Sequence, residues 1–195
     1  MENLRVDGIT KSFGKNTIFR DFSYSFEKEK TYVLRGPSGV GKTTLLRIIA
    51  GLDRDFSGTV IGGIGNVSYV FQEHRLFPTL TALENAAISS NAPEVRESAR
   101  ALLIELGFTE DELKLRPHEL SGGMKQRVSI ARALVDEAPV LLLDEATKEL
   151  DSNLAAKVLE LTKKEAEGRT VIMVTHDPDE ASILGATEIF IEKIQ

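Results

Sequence analysis

Cysteine is absent from the 195-residue chain, so neither a disulfide framework nor a thiolate metal site is available to it. Nothing here requires an oxidising compartment. Also missing is any apolar run near the ~20 residues that a bilayer span needs. The opening Met1-Glu2-Asn3-Leu4-Arg5 lacks the basic-then-apolar form of a secretory leader. These absences predict a cytosolic protein that would act at a membrane only by docking on another protein. Basic residues are outnumbered as well: 24 Lys and Arg against 30 Asp and Glu give a net charge of −6. That balance argues against a general nucleic-acid binder. No repeat, linker or low-complexity segment interrupts the chain. What remains is one domain, or one domain with a lobe inserted, at 42% hydrophobic residues.

The stretch with the clearest chemistry begins at Tyr32-Val33-Leu34-Arg35 and continues as Gly36-Pro37-Ser38-Gly39-Val40-Gly41-Lys42-Thr43-Thr44. It reads as strand, glycine-rich loop and helix, and meets the phosphate-loop pattern G-x-x-x-x-G-K-[ST]. The glycines let successive backbone N–H groups face one concavity, and the helix start adds its unpaired donors and positive dipole end. Lys42 reaches phosphate oxygens as a point charge, the Thr43 hydroxyl suits Mg²⁺, and Thr44 suits the α-phosphate.

Around this core, residues 3–35 read as two or three antiparallel strands, with turn signals at Asp7-Gly8 and Gly14-Lys15-Asn16. Gly51 ends the helix after the phosphate loop. Thr59-Val60-Ile61 and Val67 to Phe71 read as short strands joined by a hairpin turn at Gly62-Gly63-Ile64-Gly65-Asn66. Residues 73–118 change character. Thr81 to Glu84 forms a capping box, and Pro93 opens a helix ended by Gly107. Together with the helix begun at Ser121-Gly122-Gly123, this predicts an inserted helical subdomain over about 73–135. Val140-Leu141-Leu142-Leu143 and Thr170 to Val174 read as strands covered on both faces. A helix from Asp151 to Ala166, a short helix capped by Asp177 with Pro178 at its first position, and a strand at Ile189-Phe190-Ile191 complete the chain. The expected fold is α/β: a P-loop NTPase with a parallel core sheet, an N-terminal antiparallel β-subdomain and the helical insert.

Catalytic groups should gather beyond the carboxyl ends of the parallel strands. Asp144, at the end of an apolar strand, suits the metal-holding carboxylate that a phosphate loop needs; a helix cap or surface acid is the plainer reading. Glu145 is a candidate acceptor for the attacking water's proton, or else a solvated loop acid. His176 follows a buried strand and is either structural or turned toward the γ-phosphate. Phe13 is either a core residue or an aromatic platform.

With these residues in place, the chain resembles the ATP-binding subunits of ABC transporters over essentially its whole length. Leu120-Ser121-Gly122-Gly123-Met124-Lys125-Gln126-Arg127 resembles the signature specific to that family. Gln72 matches the Q-loop and so joins Thr43 and Asp144 as a metal ligand. His176 matches the switch histidine, Asp151 matches the D-loop aspartate, and Phe13 falls where the family stacks an aromatic on adenine. The resemblance implies ATP and Mg²⁺ as cofactors and Glu145 and His176 as catalytic residues. It also implies a second copy of the chain whose Ser121, Gly122 and Gly123 close over the nucleotide. Further implied partners are membrane-spanning permease subunits and a solute-binding protein, with the chain peripheral on the cytoplasmic face of the membrane. Val70 through Asn85 looks most like importer subunits, including those for nitrate, sulfonate or thiamine-type solutes. The alternative is a soluble, non-transport ABC ATPase; a non-hydrolysing nucleotide-binding module is a third reading. Two departures stand out. The D-loop carries Lys148-Glu149-Leu150-Asp151 where Ser-Ala-Leu-Asp is usual. The strand region 58–66 is also short, and with no extension after Gln195 no regulatory domain is expected.

Overall fold

A computed structural model describes residues 3–63 and 65–192. Ile64 of the glycine-rich connection, Met1, Glu2 and residues 193–195 (with Gln195) lie outside them. The chain divides into two compact units. The first comprises Met1–Tyr69, Ala138–Asp144 and Ala166–Gln195; the second comprises Val70–Glu137 and Glu145–Glu165.

In the first unit, alternating apolar residues build β1 (Leu4–Phe13) and β2 (Asn16–Phe26), an antiparallel pair joined through Gly14. β4 (Ser57–Ile61) pairs antiparallel with the other edge of β1, giving the order β2-β1-β4. The second sheet has the order β5-β6-β7-β3-β8. Its strands are β3 (Thr31–Arg35), β5 (Val67–Val70), β6 (Val140–Asp144), β7 (Thr170–Val174) and β8 (Thr187–Phe190). β6, β7, β3 and β8 run parallel. All residues of β6 and β7 are buried, as their unbroken apolar sequences require. Helix α1 (Lys42–Ile49) buries Leu45, Leu46, Ile48 and Ile49 in a core shared with Leu34, Leu142, Ile172 and Val174. Helix α6 (Pro178–Leu184) starts with Pro178, its N-cap Asp177 accepting from the Asp179 N–H.

The second unit is helical: α2 (Ala82–Ala86), α3 (Pro93–Glu105), α4 (Gly122–Val135) and α5 (Ser152–Glu165). The capping box forms as its spacing requires. Thr81 N–H donates to Glu84 Oε2 at 2.8 Å, and Glu84 N–H donates to Thr81 Oγ1 at 3.2 Å. Asn85, fully buried, holds the preceding loop by donating to the carbonyls of Phe77, Leu80 and Thr81.

Two local expectations are corrected. Asp7-Gly8 is not a turn: β1 continues through it, and Gly8, at φ +63°, sits at an interruption in the β1–β2 register. The interruption is a bulge, which the same residue types form as readily as a turn. The Gly62 to Asn66 stretch is not a hairpin, because β4 and β5 lie in different sheets. Gly58 packs so tightly on β1 that an added Cβ would lie 2.6 Å from the Asp7 and Gly8 carbonyl oxygens. That approach commits β4 to the antiparallel sheet, while β5 joins β6. The antiparallel sheet therefore takes its third strand from after the phosphate loop, not from residues 3–35.

Candidate functional site

Parallel pairing aligns the strand exits. Leu34 on β3 and Asp144 on β6 both pair with Val174 on β7. The phosphate loop, Asp144 and the Thr175-His176 segment therefore leave the sheet at one edge. The loop itself is shaped by glycine. Gly36 and Gly41 have φ of +141° and +108°. A Cβ at Gly36 would lie 2.3 Å from the Ile191 carbonyl oxygen, and one at Gly41 would lie 2.3 Å from Ile18 Cγ2. Val40 anchors the loop in the core, while Pro37, Ser38 and Gly39 are exposed. Gly41 is the N-cap of α1, whose first turn carries no acidic residue to compete with an anion.

The Lys42 side chain folds over the loop and donates to the carbonyls of Gly36 at 2.8 Å and Pro37 at 3.0 Å. A phosphate oxygen taking up this ammonium would exchange neutral acceptors for an anionic, stronger one. Thr43 Oγ1 donates to Asp144 Oδ1 at 2.9 Å, and the Tyr69 hydroxyl donates to Asp144 Oδ2 at 3.1 Å. Asp144 is buried, so both carboxylate oxygens are held in place. The donor chemistry fits Mg²⁺, which takes hard oxygens and only one or two protein ligands alongside water and phosphate. No cluster of three or more His, Cys, Asp or Glu that could hold a metal occurs among the described residues.

Phe13 is not a core residue: it is 52% exposed at the end of β1. The Lys11 ammonium lies 4.7 Å from its ring centroid. Burial works against the Lys11 charge, yet Asp53 and Asp55 outweigh it and hold its pKa above the ordinary lysine value. His176 is exposed, two residues after β7.

In the second unit, Glu145 adopts the left-handed φ of +51°. Its Oε2 accepts from Gln72 Nε2 at 3.2 Å and from Lys148 Nζ at 2.7 Å. Ser121 is the N-cap of α4, its hydroxyl oxygen accepting from the Met124 N–H at 3.2 Å. Gly122 sits beside the Glu149 carboxylate: an added Cβ would lie 2.2 Å from Glu149 Oε2, the movable end of a half-exposed side chain. Asp151 Oδ1 accepts from the Leu154 N–H at 3.0 Å, so it caps the start of α5. The structure thus joins Thr43 to Asp144 and Gln72 to Glu145.

Sequence reasoning missed Tyr69 as an Asp144 partner, and no local signal marks it. It also missed Arg132 and Ser129, which fix the segment after Gln72. Ser129 Oγ donates to the His74 carbonyl at 2.9 Å, and Arg132 donates to the carbonyls of His74 and Arg75. A polar stripe on one face of α4 was the available clue.

Comparison with known proteins supplies the family. Residues 19–148 match the family described as ABC transporter. The aliphatic sulfonates import ATP-binding protein SsuB 1 of Pseudomonas savastanoi pv. phaseolicola is 44% identical over 184 residues, covering 93% of this chain and 76% of that protein. The L-cystine import ATP-binding protein TcyC of Bacillus subtilis is 37% identical, covering 97% and 86%. The lipoprotein-releasing system ATP-binding protein LolD of Bacteroides thetaiotaomicron is also 37% identical, covering 94% of each. Among solved structures, a bacterial ABC transporter cassette solved as a dimer has a TM-score of 0.86 at 32% identity, covering 97% of this chain and 94% of that one. A dimeric ATP-binding cassette in a post-hydrolysis state, bound to ADP and Pi, has a TM-score of 0.85 at 31% identity, covering 98% and 97%. With the phosphate loop, the carboxylate pair and the capped signature helix in one chain, this protein belongs to the ABC transporter family as one of its ATP-binding, ATP-hydrolysing subunits.

Proposed function

We propose that the protein drives a solute through partner permease subunits by ATP-dependent closure of two copies of itself. The observation that carries this is the Thr43–Asp144 hydrogen bond, which ties the phosphate-loop helix to the end of β6. Gly36 to Gly41 cradle the phosphates with backbone N–H groups, Lys42 pairs with the β- and γ-phosphate oxygens, and Thr44 contacts the α-phosphate. Phe13 offers its exposed face to adenine. Thr43 and Asp144, with Gln72, would hold Mg²⁺, which would supply neutralisation of the phosphate charge. Glu145 accepts the proton of the attacking water, and His176 hydrogen-bonds the γ-phosphate.

Ser121, Gly122 and Gly123 form a second anion site at the start of α4. In a head-to-tail dimer each copy's site serves the nucleotide held by the other, so nucleotide binding and dimerisation are linked. Asp151, which caps α5, serves as the D-loop aspartate in that dimer contact. Loss of the γ-phosphate contacts lets the halves part, and the segment after Gln72 passes the motion to the permease. Exposed Phe77 gives that segment an apolar contact for its partner.

The sulfonate and cystine import relatives favour an importer that works with a solute-binding protein on the cytoplasmic face of the membrane. They also favour transport over a soluble, non-transport ATPase. No helix among the described residues is long and apolar enough to cross a membrane. As a test, Lys42→Ala abolishes tight ATP binding in calorimetry, whereas unchanged affinity would refute its phosphate role. Glu145→Gln keeps ATP binding, slows hydrolysis by a factor on the order of 10², and accumulates as an ATP-dependent dimer in gel filtration. A variant that hydrolyses at the parental rate would remove Glu145 as the base.

A further inference from the structure

The departure in the D-loop has a geometric consequence. The Lys148 N–H donates to the Glu145 carbonyl at 3.2 Å, closing a turn that brings the two side chains to the same side. Lys148 Nζ then reaches Glu145 Oε2 at 2.7 Å, on the same oxygen that accepts from Gln72 Nε2 at 3.2 Å. The turn is fixed at both ends. Glu145 is tied to Gln72, and one residue beyond Lys148 the carboxylate of Glu149 lies 3.3 Å from His74 Nε2. The His74 carbonyl is itself held by Ser129 and Arg132 of α4. Lys148 is thus a cation at a defined place beside the carboxylate, and that carboxylate keeps its pKa above the ordinary lysine value.

We propose that Lys148 is a positioning residue that restrains ATP hydrolysis, by engaging the Glu145 oxygen on which the attacking water depends. This rests on the reading of Glu145 as the base. A carboxylate oxygen that already accepts a charge-assisted hydrogen bond has one of its lone-pair directions taken, so an attacking water must compete with the ammonium for it. A small hydroxyl at this position, as the family usually has, cannot reach across the turn to do the same. Because the Lys148 side chain is 61% exposed, the restraint is mild. Exposed pairs of this kind alter an equilibrium by about fivefold at most.

The test compares purified Lys148→Met, Lys148→Arg, Glu145→Gln and the Glu145→Gln/Lys148→Met double variant with the parent. ATPase kcat and KM are measured alongside ATP affinity by calorimetry. Lys148→Met is expected to raise kcat by about two- to fivefold while leaving KM and ATP affinity at parental values. Lys148→Arg, which keeps the cation, should stay near the parental rate. In the Glu145→Gln background the Met substitution should change nothing. A Lys148→Met rate at or below the parent overturns the proposal. So does an Arg variant that behaves like the Met variant, or a gain that persists without Glu145. If Glu145→Gln hydrolyses at the parental rate, the base assignment itself falls. A slow Glu145→Gln beside an unaltered Lys148→Met refutes only the restraint.

Discussion

The Tyr69 hydroxyl donates to Asp144 Oδ2 at 3.1 Å, across two strands of the core sheet and opposite the oxygen that Thr43 engages. Asp144 therefore has each carboxylate oxygen oriented by a different side chain. Tyr69→Phe removes one of these hydrogen bonds from a buried carboxylate. The expected cost is about 1.5–3 kcal/mol of stability, read from urea denaturation. The Mg²⁺ concentration for half-maximal ATPase activity should also rise, because Asp144 gains rotational freedom. Unchanged Mg²⁺ dependence would limit Tyr69 to a packing role.

Ser121 has two duties that substitution can separate. As the N-cap of α4 it accepts from the Met124 N–H, and Ser121→Ala should cost about 1 kcal/mol of stability. Ser121→Asp caps as well as serine but places a negative charge where the partner's γ-phosphate would dock. Its thermal midpoint should match the parent, while the ATP-dependent dimer disappears from gel filtration. If the Asp variant still dimerises with ATP, the signature does not contact phosphate.

Phe13 is half-exposed and its main fold contact is the Lys11 ammonium over its ring, so Phe13→Ala should cost only about 0.5–1 kcal/mol of stability. ATP affinity should fall roughly three- to tenfold, the worth of one aromatic stacking contact. Affinity for inorganic triphosphate, which has no base to stack, should not change. Equal losses for both ligands would point to a disturbed loop instead.

The capping box of α2 makes an acid-sensitive contribution to stability. The Thr81 N–H and hydroxyl hold the Glu84 carboxyl below its ordinary value of 4.5. A folded-state pKa that is depressed stabilises fully above the unfolded value and is lost as pH falls through the folded one. Glu84→Gln should therefore weaken the protein at neutral pH and show a smaller further loss below about pH 4 than the parent does. Denaturation midpoints at the two pH values check this; an identical drop in both proteins would show that other groups dominate.

What the sequence determined is local. The phosphate loop is legible because glycine spacing and a helix start create an anion site within nine residues. Ser121 is legible as a cap because its partner lies three residues on. The unbroken apolar runs of β6 and β7 announce strands buried on both faces. What tertiary structure decided is partnership across distance. Tyr69 meets Asp144 because β5 lies beside β6, a choice that nothing in Val67 to Val70 encodes on its own. The same choice undid the hairpin between β4 and β5, since turn residues favour a bend without saying which sheet the next strand joins. Lys148 stood out as a departure, but its contact with Glu145 depends on a left-handed backbone at Glu145 that no residue type there would foretell. Periodicity and caps act over a single turn or strand, whereas sheet order and strained backbone are fixed only when the whole core closes around them.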